Sequence, residues 1–166
     1  MLLANAAVGL IQLVIAIIFA VVALYIGFAV LGKITKDIDE EKELAKGNVA
    51  VGIIVASVFV AIALVVQSGV SGLSVGINKA LSVGILSVDG LLTVGIAFIQ
   101  LILGIVLAIG AIYLALNILD KLTKGVEEFE EIKKGNVAVA LEMAGVIIAV
   151  AVIIQSGVIG ITASII

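Results

Sequence analysis

The sequence predicts an all-α integral membrane protein with four transmembrane helices, arranged as two tandem helical hairpins of the same orientation. Three observations carry this reading. The 166 residues are 64% hydrophobic, with a mean hydropathy of +1.46, and a water-soluble domain of that length cannot bury so much apolar surface. The apolar residues form long, almost uncharged runs, and a bilayer core needs about 20 residues per helix. The chain also repeats itself: Gln12–Gly72 aligns without a gap on Gln100–Gly160, and each copy reads helix, charged loop, helix. A hairpin returns the chain to the side it started from, so the two copies share an orientation, unlike the inverted repeats of many transporters. A β-barrel is rejected, because the runs are continuous rather than alternating and aromatics are only 4% of the chain.

The first span is read in Leu10–Leu31, which has no charge. Gln12, Ala16, Ala20, Ala23 and Gly27 fall on one stripe of this helix. Small residues let membrane helices approach closely, so the stripe is expected to pack against a neighbour. A charged segment, residues 33–46, follows. It is expected to be partly helical, with Ile34 and Ile38 on one side and Lys36 and Glu40 paired four residues apart. It ends in Lys-Gly-Asn-Val-Ala-Val, Lys46–Val51, which recurs letter for letter at Lys134–Val139. Gly47 and Gly135 suit the left-handed conformation that stops a helix. Asn48 and Asn136 suit the N-cap of the next one. The motif is read as the turn by which the chain re-enters the bilayer.

The second span, Val49–Ser74, carries the stripe Gly52, Ala56, Ala63 and Gln67. Residues 1–72 form the first hairpin unit. The connector, residues 73–90, sets Leu73, Ile77, Leu81 and Ile85 on one helical face and Ser74, Asn78 and Ser82 on another, which predicts an amphipathic helix lying in the outer interface. Its Ser-Val-Gly-Ile stretches, with Thr93–Ile96, share a fragment of the Thr-Val-Gly-Tyr-Gly filter of potassium channels but lack the Tyr-Gly. Residues 91–166 form the second hairpin unit. Its third span, Leu91–Leu119, has the stripe Gln100, Gly104, Ala108, Ala111 and Ala115. After the charged segment 120–134, the fourth span from Val137 has Ala140, Ala144, Ala151 and Gln155.

Two polar features carry candidate function. Each stripe has its Gln at the end away from the charged segments, so Gln12, Gln67, Gln100 and Gln155 are expected in one layer near the outer surface. That layer reads either as a Gln–Gln clasp or as a polar ring on a solute or ion path, and Ser68 and Ser156 fit both. The copies also differ: Glu142 stands where the first copy has Ile54, and Asn117 where it has Ala29. Both lie near the charged end of their helices, and Tyr113, four residues before Asn117, shares its face. An acid within a span is a functional-site candidate. Glu142 is read as snorkelling to the nearby surface or pairing with Lys121 or Lys133, as binding a proton or cation, or as meeting another subunit.

The chain has no Cys, His, Pro, Trp or Arg. Thiol and imidazole chemistry and soft metal ligation are therefore absent from its repertoire, and neither an enzyme nor a cofactor or metal site is expected. All lysines but Lys79 lie in the two charged segments. Lys bias marks the cytoplasmic side, so the segments are placed in the cytoplasm and both termini outside. Mixed acids and bases argue against nucleic acid and leave room for a cytoplasmic protein partner at residues 33–46 and 120–134.

The charged loop ending in Lys-Gly-Asn-Val-Ala-Val-Ala, the Ala/Gly-rich helix after it and Gln-Ser-Gly-Val downstream, all in tandem, resemble the prokaryotic membrane family called domain of unknown function 350. Lys134–Ala140 matches in full, whereas Gly52 replaces the final Ala in the first copy. The resemblance implies a multi-spanning cytoplasmic-membrane protein and defines no catalytic residue. The reading favoured by all of this is a homo-oligomeric, non-enzymatic protein that self-assembles or supports a larger membrane assembly. The alternative is a channel or transporter built on the Gln layer and Glu142.

Overall fold

Long uncharged stretches without proline favour uninterrupted helices, and the computed structural model contains them. It describes residues 2–34, 38–84, 86–122 and 127–165. The order is α1 (Leu2–Ile34), α2 (Glu40–Ala45), α3 (Val49–Val83), α4 (Val88–Leu122), α5 (Glu128–Lys133) and α6 (Val137–Ile165). The four long helices are each long and apolar enough to cross a membrane, and α2 and α5 are single short turns of charged residues before α3 and α6.

Helix α3 is the hub, packing on α6, α4 and α1, while α4 also packs on α6. Close approaches fix the register. Gly69 of α3 faces Leu101 of α4, and a Cβ on it would lie 3.3 Å from the Leu101 Cα. Further along α4, Gly104 faces Val65 of α3 and Val158 of α6. As α4 advances from residue 101 to 104, α3 retreats from 69 to 65, so the two are antiparallel. Helices α3 and α6 begin side by side, because the Asn48 amide at the start of α3 donates to the carbonyls of Ile132 and Lys133 just before α6. Gly27 of α1 meets Ile62 of α3, and the Phe28 and Phe59 rings lie 6.1 Å apart. The core runs along α3 and α6 through Ile54, Ala61, Val66, Ala140, Ile147 and Ala151.

The connector differs from expectation. Residues 73–83 form no separate interfacial helix; they continue α3, which reaches 35 residues, or about 52 Å at 1.5 Å per residue. The buried face there is Leu73, Gly76 and Ala80, not Leu73, Ile77 and Leu81: Leu81 is exposed, and Ile85 lies outside the described residues. Burial of the small residues on that face outweighs the weaker amphipathic pattern. Gly84, at φ +95°, ends α3. The Ser87 hydroxyl then accepts from the Gly90 N–H at 3.0 Å and caps α4. Ser74–Ile77 and Thr93–Ile96 are both helical, so their carbonyls are engaged in helix bonds; of the other Ser-Val-Gly-Ile stretch, Ser82 and Val83 are the last residues of α3 and Ile85 lies outside the described residues.

Candidate functional site

The repeated hexapeptide forms two turns of the same construction. After α2, the N–H of Gly47 donates to Leu44 O at 2.9 Å and that of Asn48 to Glu43 O at 3.0 Å. After α5, Gly135 donates to Ile132 O and Asn136 to Glu131 O, each at 2.9 Å. This pair of bonds is the Schellman stop, which needs its glycine in the left-handed region; φ is +80° at Gly47 and +88° at Gly135. Each Asn then caps the next helix. Asn48 Oδ1 accepts from Val51 N–H at 3.3 Å, and Asn136 Oδ1 accepts from Ala138 and Val139 at 3.2 and 3.4 Å.

The amide donors of these Asn also organise charge. Asn48 Nδ2 donates to Glu43 Oε2 and Asn136 Nδ2 to Glu131 Oε2, at 3.1 and 2.9 Å. Lys46 pairs with Glu43 at 2.6 Å, and Lys134 with Glu131 at 2.8 Å. Lys46 and then Asn48 hold the Glu43 carboxyl below its usual range, Asn136 and then Lys134 do the same for Glu131, and Glu131 in turn raises Lys134. The turns also differ in their reach. Asn48 crosses to the other copy, donating to Ile132 O at 3.2 Å and Lys133 O at 3.1 Å. No cross-copy bond of Asn136 occurs among the described residues.

The four glutamines do not share a layer. Gly27 lies opposite Ile62, so Gln12, fifteen residues from that contact, and Gln67, five residues from it, are about 15 Å apart in depth. Gln100 and Gln155 lie on opposite sides of the Gly104–Val158 contact, about 10 Å apart. Their surroundings differ as well. Gln67 is exposed, while Gln100 is buried with neither amide atom bonded, and Gln12 Nε2 is buried without a partner. No clasp forms. The expectation placed each Gln by its residue count from the charged end, but the copies' helices differ in length and offset. Ser68 and Ser156 donate instead to Val65 O and Val152 O in their own helices.

Gln100 lines a small cavity of about 20 Å³ with Gly104, Leu107 and Val158. A larger one of about 160 Å³ lies between α1 and α4 and is wholly apolar, with Phe19, Ala23, Ile102 and Ile109 in its wall. Glu142 reaches neither cavity and stands on the outer surface of α6. Asn117 donates to Tyr113 O at 2.7 Å within α4, and Tyr113 is exposed. Glu142 is not brought together with that pair among the described contacts. Lys36 and the side chain of Lys121, named above as ion-pair partners, lie outside the described residues.

The small-residue stripes divide unequally. Gly104, Ala108, Ala140 and Ala144 are buried, and Ala16 and Ala20 are half-buried. Gly52 is half-buried and Ala56 exposed, so the stripe of α3 faces outward. One residue escaped sequence reasoning. Glu128, in the charged segment 120–134, is 1% exposed. It lies four residues before buried Ile132 on the same face of α5, and that apolar spacing was the available signal.

A family model described as Domain of Unknown Function (DUF350) matches the chain twice, over residues 5–106 and 92–166. The first match runs through the connector. No curated protein and no solved structure matches.

Proposed function

This chain belongs to the DUF350 family, in two tandem copies, and from that premise we propose that it is a non-enzymatic multi-spanning membrane protein that assembles with itself or supports a larger membrane assembly. The observation that carries the reading is the unfinished packing of the chain. Only about one-sixteenth of the α1 span and a quarter of the α4 and α6 spans are buried, against more than half of α3. The open surfaces of α3 and α6 carry Ala56, Ala63, Gly145 and Gly157, which suit another helix better than lipid.

The two turns support a shared orientation for both copies, with the charged segments together at one face. Lys content places that face in the cytoplasm and both termini outside. Residues 33–46 and 120–134 then offer a cytoplasmic protein partner a surface of mixed charge. The channel reading has one observation in its favour, the unbonded amide of Gln100 beside a cavity. That cavity holds about one water, and the larger cavity is apolar.

Native mass spectrometry of the protein released from lipid nanodiscs tests the assembly reading, with a defined oligomer as the expected result. In parallel, proteoliposomes are expected to carry no proton or cation flux above empty vesicles. A flux that Glu142→Gln abolishes would replace assembly by transport.

A further inference from the structure

The two copies do not pack on each other symmetrically. Helix α6 buries Ala140, Ala144, Ile147 and Ala151, whereas of their counterparts on α3 Gly52 is half-buried and Ala56, Phe59 and Ala63 are exposed. Conversely, α3 buries Ile54, Ala61, Val65 and Gly69, and their counterparts on α6, Glu142, Ala149, Ile153 and Gly157, are all exposed. The second copy thus docks one face on a different face of the first. A two-fold relation would bury the same face twice, whereas a head-to-tail contact leaves one unmatched face at each end.

Three other observations break the symmetry in the same direction. Asn48 bonds the carbonyls that end α5, and Asn136 makes no matching bond to the end of α2 among the described residues. Leu101 of α4 seats on Gly69, whereas their counterparts Leu13 and Gly157 are separated: Leu13 is 55% exposed, and nothing lies within 4 Å of a Cβ on Gly157. Among the described residues helix α1 makes no extended contact with α6, although the equivalent pair, α4 with α3, packs closely.

We infer that the free face of α6 receives the first copy of a second chain, repeating between subunits the contact already made within one. Leu13 of the incoming chain seats on Gly157, its Ala56 and Ala63 meet the Ala149 and Ile153 face, and Asn136 donates to the Leu44 and Ala45 carbonyls that correspond to those of Ile132 and Lys133. The contact is heterologous, so the assembly closes into a ring if the rotation closes and otherwise extends as an array. Glu142 lies in this joint, where the internal joint has Ile54, so the two kinds of joint alternate. The inference rests on the self-assembly reading and specifies its geometry.

The chain has no Cys, which makes disulfide trapping clean. A Cβ on Gly69 would lie 3.4 Å from Leu101 Cβ, near the spacing of a disulfide, so Gly69→Cys with Leu101→Cys is the internal control. Leu13→Cys and Gly157→Cys, on two differently tagged full-length chains in one membrane, are expected to cross-link to each other under mild oxidation. Leu13→Cys alone is expected to give no cross-link, and both substitutions in one chain to give a ladder of multimers or one closed ring. Self-cross-linking of Leu13→Cys, or no mixed cross-link between chains, overturns the inference. Gly157→Leu gives a second measure that does not depend on the control's folding. Its site is open within the chain, so the monomer keeps its thermal midpoint while the oligomer is lost by native mass spectrometry. An unchanged oligomer overturns the inference but not the assembly reading; wild-type protein that is monomeric throughout overturns both.

Discussion

At the scale of single residues, the two re-entry asparagines have the same letter and different work. Asn48 caps α3 and ties the two turns together through Ile132 O and Lys133 O, while among the described residues Asn136 has only its own cap and Glu131. In dispersed monomers, Asn136→Ala should cost about 1 kcal/mol, the usual value of a lost N-cap. Asn48→Ala should cost about 1 kcal/mol more, since the Ile132 and Lys133 carbonyls lose a donor; denaturant unfolding in micelles checks the difference. Gly47→Ala and Gly135→Ala each force a side chain into the left-handed region and should cost about 1 kcal/mol in the same assay. Acid acts at the same turns. The Glu43 and Glu131 carboxyls are held below their usual range by Lys46 with Asn48 and by Asn136 with Lys134. A depressed carboxyl contributes stability above its unfolded pKa and loses it as pH falls through the folded one. The turns should therefore hold at neutral pH and loosen on acidification below the ordinary carboxylate range. Glu43→Gln should blunt that loss, read as hydrogen exchange at Gly47 and Asn48.

At the scale of helices, close packing depends on where glycine falls rather than on how much of it there is. A Cβ at Gly69 meets Leu101 backbone, which cannot yield. Gly69→Val should therefore overpack the α3–α4 joint at a cost of about 1–3 kcal/mol. Gly157→Val, at the equivalent place on α6, meets nothing within the chain and should stay within about 0.5 kcal/mol for monomers. Unfolding of both variants in SDS–micelle mixtures checks the contrast. The same logic explains why residues 73–83 join α3. Gly72, Gly76 and Ala80 are buried on one face of the helix, and burying that face decides the matter over the Leu and Ser periodicity that suggested a separate helix.

At the scale of the whole molecule, the duplication was legible and its consequence was not. The repeat, the four spans, the glycine stops and the Asn caps can all be read from letters and periods, because each rests on local chemistry within a few residues. The depth of the glutamines could not be read that way. Counting from the charged end assumes equal helix lengths and offsets, and Gly27–Ile62 and Gly104–Val158 show the assumption failing. Glu128 was legible only in part: its four-residue spacing to Ile132 marks a shared face of α5, but its burial depends on what packs over that face.

The sequence by itself determined that this is an apolar, all-helical chain of two like copies with glycine-stopped, Asn-capped turns, since those properties follow from composition, periodicity and backbone preference. The tertiary structure alone decided which faces of those like copies meet. Equivalent residues such as Gly69 and Gly157, or Ile54 and Glu142, occupy the same place in their repeats. Only the unsymmetrical docking of one copy on the other buries the first of each pair and exposes the second, because a single chain of two copies has one joint within it and two unmatched ends.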